Sequence, residues 1–372
     1  TAGLYAAELL AENGLETAVF EREEAVNPAR RTYIITKGLR RVLGEIPPSW
    51  ICHRVDRLAV AAQGVEQTLS LKDPDLVMER NQLTQALADR AREAGAGVFL
   101  GLDFQGFRES EQGTQLVFID RDGDERVMSS PVVIGADGAF SRVAKAAGLP
   151  RPAAVPLLQA EVNLPEGWDP GLTKVWFDVG ETRYFFWLIP ESSSRAVVGL
   201  IGNPGSDLRA VLDRFLDSHH LTADGYQAGQ AAMHHPSLRP WGRVGESRVL
   251  LVGDAAGQVK VTTVGGTVTG LWGARAAAEA VLEDKAYEDT VRPLQRELDV
   301  HWRIRELLES MGEDGYQKLI SLISPGVKKF LARYDRDAMK GKFWNLPFIQ
   351  PRFIPLGFKL YFRFLRDKLM KG

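Results

Sequence analysis

Cysteine is almost missing from this chain of 372 residues, with Cys52 the single example. That excludes a disulfide framework and any multi-cysteine zinc or iron–sulfur centre, and it suits a reducing, cytoplasmic compartment. Cys52 itself reads as a buried small hydrophobe. Six histidines do not fill the gap. The pairs His219-His220 and His234-His235 lack metal-ligand spacing and read as surface loops, and His301, on a charged helix, is likewise read as a surface residue. No metal site is expected. No apolar run reaches the roughly 18 residues that a spanning helix requires, and no secretory leader is expected. A large charge of one sign is lacking too: the formal net charge is −2, which argues against a nucleic-acid partner. What is present is the composition of a globular protein, 45% hydrophobic and 25% charged, long enough for one large domain or two.

The charge is unevenly placed. Residues 326–372 hold twelve basic side chains against three acidic ones, interleaved with Phe343, Trp344, Phe348, Phe353, Phe358, Tyr361, Phe362 and Phe364. This pattern suits an anionic membrane surface, and equally a helical cap with aromatics inward and lysines outward.

Residues 1–14 read as a helix closed by Gly14, and 15–20 as a strand with Glu21 and Arg22 at its end. Helix, glycine, strand and acid make the second half of a dinucleotide-binding βαβ unit. There a glycine-rich turn meets a pyrophosphate at the helix N-terminus, and the acid accepts ribose hydroxyls. Gly3 sits where the third glycine of G-x-G-x-x-G belongs. A first strand and turn of roughly fifteen residues is expected ahead of Thr1.

Three later segments extend the pattern. Residues 79–95 form an amphipathic helix with Arg80 at its start, where a guanidinium reaches a phosphate or a flavin hydroxyl. Residues 131–143 form a strand ending in Gly-Ala-Asp-Gly, with Asp137 at the strand end and Ser141 as a helix cap. Residues 248–257 form another strand, ending in Gly253-Asp254. Gly265, Gly266 and Thr267 then open a helix whose free N–H groups suit a pyrophosphate or the polar edge of a flavin.

In this order and spacing, Gly3, Glu21, Arg80, the Gly-Ala-Asp-Gly of 135–138 and Gly253-Asp254 resemble the FAD-dependent hydroxylase superfamily, whose reference fold is that of p-hydroxybenzoate hydroxylase. The resemblance covers most of 1–285. It implies an α/β fold: a glutathione-reductase-like FAD-binding Rossmann domain, an inserted antiparallel-sheet substrate domain and a helical C-terminal region. The expected division is 1–58, 76–150 and 240–285 for FAD, 59–75 and 151–239 for substrate, and 286–372 for the C-terminal helices. Cofactor contacts fall to Gly3, Glu21, Arg22, Arg80, Asp137, Gly253, Asp254, Gly265, Gly266 and Thr267.

Within the superfamily, the run Gly-Asp-Ala-Ala-Gly-Gln-Val-Lys-Val-Thr-Thr-Val-Gly-Gly of 253–266 resembles geranylgeranyl reductases, with Val261 replacing Pro and Val264 replacing Gly. Residues 184–190, Tyr-Phe-Phe-Trp-Leu-Ile-Pro, resemble that family's Tyr-x-Trp-x-Phe-Pro at Trp187 and Pro190, and depart from it at Phe185 and Ile189. Flavin-dependent halogenases carry Trp-x-Trp-x-Ile-Pro at a comparable place, but their other markers are not found. The family's Cys-Gly-x-Gly segment is also not found; the corresponding stretch, 27–34, places Arg31, Thr32 and Tyr33 beside the flavin or marks lost residues after Val26.

The resemblance implies a reductase in which reduced FAD saturates a carbon–carbon double bond of an isoprenoid lipid, in an apolar tunnel lined by Phe185, Trp187 and Trp176, with Tyr184 as a further candidate. Phe177 is expected to pair with Trp187 beside Trp176. An external electron donor, ferredoxin or NAD(P)H, is implied, since no second nucleotide fingerprint is visible. A monooxygenase, a halogenase and a non-catalytic flavin and lipid carrier are the alternatives. Peripheral membrane association through 326–372 is a separate expectation.

Overall fold

A computed structural model describes residues 1–26, 31–111, 113–333, 337, 345–355 and 358. The chain divides into two compact units: unit 1 comprises 1–31, 79–154 and 231–299, and unit 2 comprises 32–78, 155–230 and 300–372. Elements are numbered along the whole chain.

Unit 1 opens with α1 (Ala2–Glu12), which leads through Gly14 at φ +80° into β1 (Ala18–Glu21). β1 pairs in parallel with β5 (Gly97–Leu100), which follows α3 (Arg80–Glu93). The turn and strand fall where glycine capping and apolar alternation place them. A three-stranded antiparallel sheet follows, made of β6 (Asp103–Ser110), β7 (Gly113–Ile119) and β8 (Glu125–Ser129). β9 (Val132–Gly135) runs parallel to β16 (Ser247–Leu251), which also pairs with β15 (Trp241–Val244). Short α4 (Arg142–Ala146) follows β9, and α6 (Thr267–Leu282) and the first half of α7 (Tyr287–Glu309) close the unit. Strand β16, buried but for Arg248, packs Val249 and Leu251 toward β7 and α4, and Leu250 toward α6 and α7.

Unit 2 is built on an eight-stranded sheet. Its strands are β2 (Thr32–Ile35), β3 (Ile51–Ala62), β4 (Val65–Glu79), β10 (Ala153–Asn163), β11 (Leu172–Trp176), β12 (Phe186–Pro190), β13 (Arg195–Ile201) and β14 (Ala223–Met233), in the order β14-β10-β13-β12-β11-β3-β4-β2. It also holds α2 (Gly38–Leu43), α5 (Leu208–Ser218), α8 (Glu313–Ser321), α9 (Pro325–Arg333) and α10 (Leu346–Ile349). The sheet is not wholly antiparallel as expected, because β11 pairs in parallel with β3. α5 covers one face. Val211, Leu212, Phe215 and Leu216 make its buried stripe, against Phe186, Leu188, Val198 and Leu200. Asp207 caps α5 by accepting the Ala210 N–H at 3.1 Å.

The division departs from the sequence-based one most at two places, besides 231–239, which joins unit 1, and shifts of a few residues at 76–78 and 151–154. Residues 32–58 join the large sheet through β2 and β3, and 286–372 is split after Asp299 rather than standing alone. The basic tail of 359–372, with Tyr361, Phe362 and Phe364, and the segment 338–344, with Phe343 and Trp344, lie outside the described residues. Three smaller readings are corrected. Cys52 is exposed on β3, while His234 and His301 are buried at 5% and 3% exposure. His234 Nε2 lies 2.8 Å from Asp299 Oδ1, so burial is matched by a polar partner.

Candidate cofactor site

The site in unit 1 begins at the head of α1. The first N–H groups of a helix have no intrahelical acceptor, and the helix dipole adds partial positive charge there. Close approach fixes where that end sits. A Cβ on Gly3 would lie 2.8 Å from the Cβ of Ala136, so only glycine lets α1 reach the turn after β9. Gly253, at φ +64°, comes within contact distance of Ala2 in the same way. Thus the two strand-end turns singled out from sequence both meet the start of α1.

Charge gathers at the same point. The buried nitrogen of Thr1 lies within electrostatic reach of Arg80, Glu21 and Asp254. Arg80 heads α3, and its backbone N–H donates to the Arg31 carbonyl at 2.8 Å. Burial, with the like charge of Arg80 beside it, lowers the Arg31 guanidinium from its ordinary value. Burial likewise raises the Asp254 carboxyl above the ordinary Asp range, opposed by the Arg80 charge. Glu21 keeps one carboxylate oxygen on the Glu23 N–H at 3.1 Å.

Asp254 also faces the head of α6, since a Cβ on Gly266 would lie 3.1 Å from its Oδ1. Before that helix, Lys260 N–H donates to the Gly265 carbonyl at 3.1 Å and Thr263 N–H to the Lys260 carbonyl at 3.2 Å, which folds 260–265 into a tight turn. Val264 sits in this turn at φ +51°. A β-branched residue in the left-handed region is strained by about 1–2 kcal/mol. Val264→Gly should therefore raise stability by about 1 kcal/mol, measured by urea unfolding.

A buried network holds the Gly253-Asp254 turn from behind. Gln258 Oε1 accepts the Gly253 N–H at 2.6 Å, and Gln258 Nε2 lies 3.1 Å from Tyr287 Oη, which donates to the Leu251 carbonyl at 2.9 Å. Thr269 Oγ1 donates to the Gln258 carbonyl at 2.5 Å, and no Cβ fits on Gly273 beneath the Gln258 side chain. Burial pushes the Tyr287 phenol far up, so it stays a neutral donor. Sequence reasoning missed this brace. Gln258 was legible only as a letter of a motif, and Tyr287 arrives from α7. Tyr287→Phe should cost about 1–3 kcal/mol of stability, because Gln258 and the Leu251 carbonyl lose their partner. Thermal unfolding with and without FAD reads that loss.

Two candidates have local partners. Asp137 is exposed and its carboxylate serves α4, with Oδ1 taking Ser141 Oγ at 2.6 Å and Oδ2 taking the Val143 N–H at 3.0 Å. Ser141 in turn accepts the Ala144 N–H at 2.8 Å, the helix cap expected of it. Arg22 is 65% exposed in its side chain and pairs with Glu23 at 3.2 Å.

Two helix N-termini, two arginines and two carboxylates suit a dinucleotide: a diphosphate wants the first two kinds of group, sugar hydroxyls the third. The chain also matches the FAD binding domain family model over residues 1–193. It belongs to that family. FAD is accordingly its cofactor, and the donor set fits it. Among curated relatives, digeranylgeranylglycerophospholipid reductase 2 of Methanopyrus kandleri is 29% identical over 318 residues, covering 81% of this chain and 79% of that protein. The reductase 2 of the same name from Methanothermobacter thermautotrophicus is 29% identical over 351 residues, covering 86% and 88%. Among solved structures, a geranylgeranyl bacteriochlorophyll reductase-like protein from Thermoplasma acidophilum superposes with TM-score 0.76 at 21% identity, over 93% of this chain and 96% of that one. The flavin-dependent brominase Bmp2 shares the fold at TM-score 0.68 and 13% identity, over 89% and 90%.

In unit 2, the substrate candidates separate by strand register. Trp187 on β12 faces Val175 on β11, whereas Trp176 faces Phe186. Paired residues share a face, so Trp187 and Trp176 lie on opposite faces. Trp176 packs under α5, edge-on to Phe215 at 5.3 Å, and does not share a wall with Trp187. Phe177 takes its place: Trp187, Phe185 and Phe177 form a row of ring contacts at 6.2 and 6.1 Å. Tyr184 precedes β12, with the Arg305 guanidinium 4.1 Å from its ring centre.

Proposed function

We propose that this FAD-dependent oxidoreductase saturates carbon–carbon double bonds of a geranylgeranyl-type lipid. The observation that carries the reading is that curated relatives over more than four fifths of the chain are reductases of digeranylgeranylglycerophospholipids. The aromatic row on unit 2 agrees with it, since a polyprenyl chain offers apolar surface and almost nothing to hydrogen-bond.

When bound and reduced, FAD supplies the hydride for such a reaction. The chain's residues have distinct tasks. Arg31, Arg80 and the head of α1 hold the diphosphate. Glu21 accepts the adenosine ribose hydroxyls. Asp254, set by Gly253, accepts from the ribityl chain, and the 265–267 segment presents N–H groups to the polar edge of the ring. Phe185, Trp187 and Phe177 exclude water and hold the isoprenoid. Electrons come from an external donor, ferredoxin or NAD(P)H.

No helix among the described residues is long and apolar enough to cross a membrane. The described part of the C-terminal segment exposes Phe348, Ile349, Ile354 and Phe358 beside Arg352, which supports docking on an anionic lipid surface. Liposome sedimentation with and without 326–372 tests this; equal binding by both forms discards it.

The test of the reaction is anaerobic incubation of dithionite-reduced protein with a panel of polyprenyl lipids, read by mass. One added hydrogen pair per reduced double bond is expected. Lipid returned unchanged, or product formed only with oxygen or halide, refutes the reading.

A further inference from the structure

The aromatic row of unit 2 ends in polar atoms that nothing among the described residues satisfies. Beyond Phe177, Tyr316 of α8 stacks on its ring at 4.6 Å. Tyr316 is 2% exposed, and its Oη has no hydrogen-bond partner among the described residues. Arg305 is 3% exposed. Its Nε donates to Glu309 at 2.9 Å and its Nη2 to the Arg183 carbonyl, but Nη1 is buried without a partner among the described residues. Trp187 Nε1, at the other end of the row, is buried and without a partner in the same sense.

These atoms share one chemistry. An indole nitrogen and a guanidinium only donate. Burial raises the Tyr316 and Tyr184 phenols above their ordinary value, against the pull of Arg305, so both hydroxyls keep their protons. A buried donor without an acceptor is costly, and a charged one most of all. The group that completes the set is therefore an oxygen acceptor. Charge narrows it further. Arg305, its charge shared with Glu309 and its Nη1 still without an acceptor among the described residues, favours an anionic oxygen over a neutral one, and the exposed Arg183 adds positive charge on the Tyr184 side. Glu309, 35% exposed in its side chain, and the exposed Arg183 are the members of the cluster that reach solvent.

We infer that Tyr316 Oη and Arg305 Nη1 form a subsite for a phosphate oxygen of the lipid head group, at the end of the aromatic row that holds the chain. This rests on the isoprenoid-lipid reading above. It makes Tyr316 and Arg305 the residues that separate a phospholipid from a phosphate-free lipid with the same chains.

The test uses the full FAD-loaded chain, oxidised, titrated in neutral micelles with a digeranylgeranyl glycerophospholipid and with its phosphate-free diether. The wild type should prefer the phospholipid. Tyr316→Phe should weaken the phospholipid about tenfold and leave the diether unchanged, while the melting temperature holds or rises because an unsatisfied hydroxyl is gone. Arg305→Lys, which keeps the charge and loses the fork, should weaken the phospholipid in the same selective way. Equal affinity of the wild type for both lipids overturns the subsite alone, as does a Tyr316→Phe variant that shifts both equally. Displacement of both lipids alike by inorganic phosphate, lost in Tyr316→Phe, assigns the pocket to a free anion and overturns the head-group role. Binding of neither lipid refutes the isoprenoid reading and the subsite with it.

Discussion

Asp254→Ala should weaken FAD binding by roughly ten- to a hundredfold, the worth of one or two charge-assisted hydrogen bonds, and should not destabilise the apoprotein. The two effects separate because the carboxyl does different things in the two states. Without FAD it is a half-buried acid whose charged form is disfavoured by desolvation, with Arg80 only partly compensating. Removing it relieves that cost. In the proposed site FAD would bring it hydroxyl donors that favour its ionised form. Titration of apoprotein by flavin fluorescence, beside a urea melt of the same sample, reads both. A pH dependence follows from the sign of the shift. The native carboxyl holds its proton over a window in which the unfolded chain has released it. Its contribution to stability is therefore greatest at low pH, falls as pH rises from the ordinary Asp range through the raised native value, and is flat above it. The difference between wild type and Asp254→Asn isolates this slope; a difference that grows in the wild type's favour with rising pH contradicts it.

Gly199→Ala should be the most damaging single-methyl change in unit 2, costing about 1–3 kcal/mol or more. Gly199 pairs with Trp187 on one side and with Gln159 on the other. A Cβ there would lie 2.5 Å from Trp187 Cζ2, 2.6 Å from Gln159 Cβ and 2.7 Å from the Leu158 carbonyl oxygen. The tryptophan lies across β13 only because this position is bare. Trp187→Leu removes the ring edge that clashes, so part of the cost should vanish in the double variant. A coupling of about 0.5–3 kcal/mol in the double-mutant cycle is expected from direct contact. Strict additivity would mean that the ring does not lie where the structure has it. On the proposed role of Trp187, lipid binding should fall in Gly199→Ala even at temperatures where the variant stays folded, because the ring is displaced.

Legibility followed the range of the interactions. The α1–β1 pair and the strand ends at Gly253-Asp254 could be read because capping glycines, apolar alternation and helix starts are local signals. Asp137 showed where those signals are ambiguous: a carboxylate between a strand and a helix either awaits a ligand or caps the helix, and here Ser141 and the Val143 N–H take both oxygens. Trp176 was misplaced because its face depends on the pairing of β11 with β12, which no local pattern specifies. The same holds for 32–58, whose strands β2 and β3 have partners elsewhere in the eight-stranded sheet. The Gln258–Tyr287 brace and the Arg305–Tyr316 cluster join residues through tertiary contact alone, and neither carries a spacing that could have announced it.

In the proposed reaction a flavin held by Glu21, Arg80 and Asp254 passes its electrons to an isoprenoid. The most direct measurement is the absorbance of the reduced, FAD-loaded protein after mixing with a geranylgeranyl lipid in the strict absence of oxygen. Reoxidation of the flavin in proportion to the double bonds lost is the predicted result. A flavin that stays reduced beside bound lipid, and turns yellow only when oxygen is admitted, would contradict it.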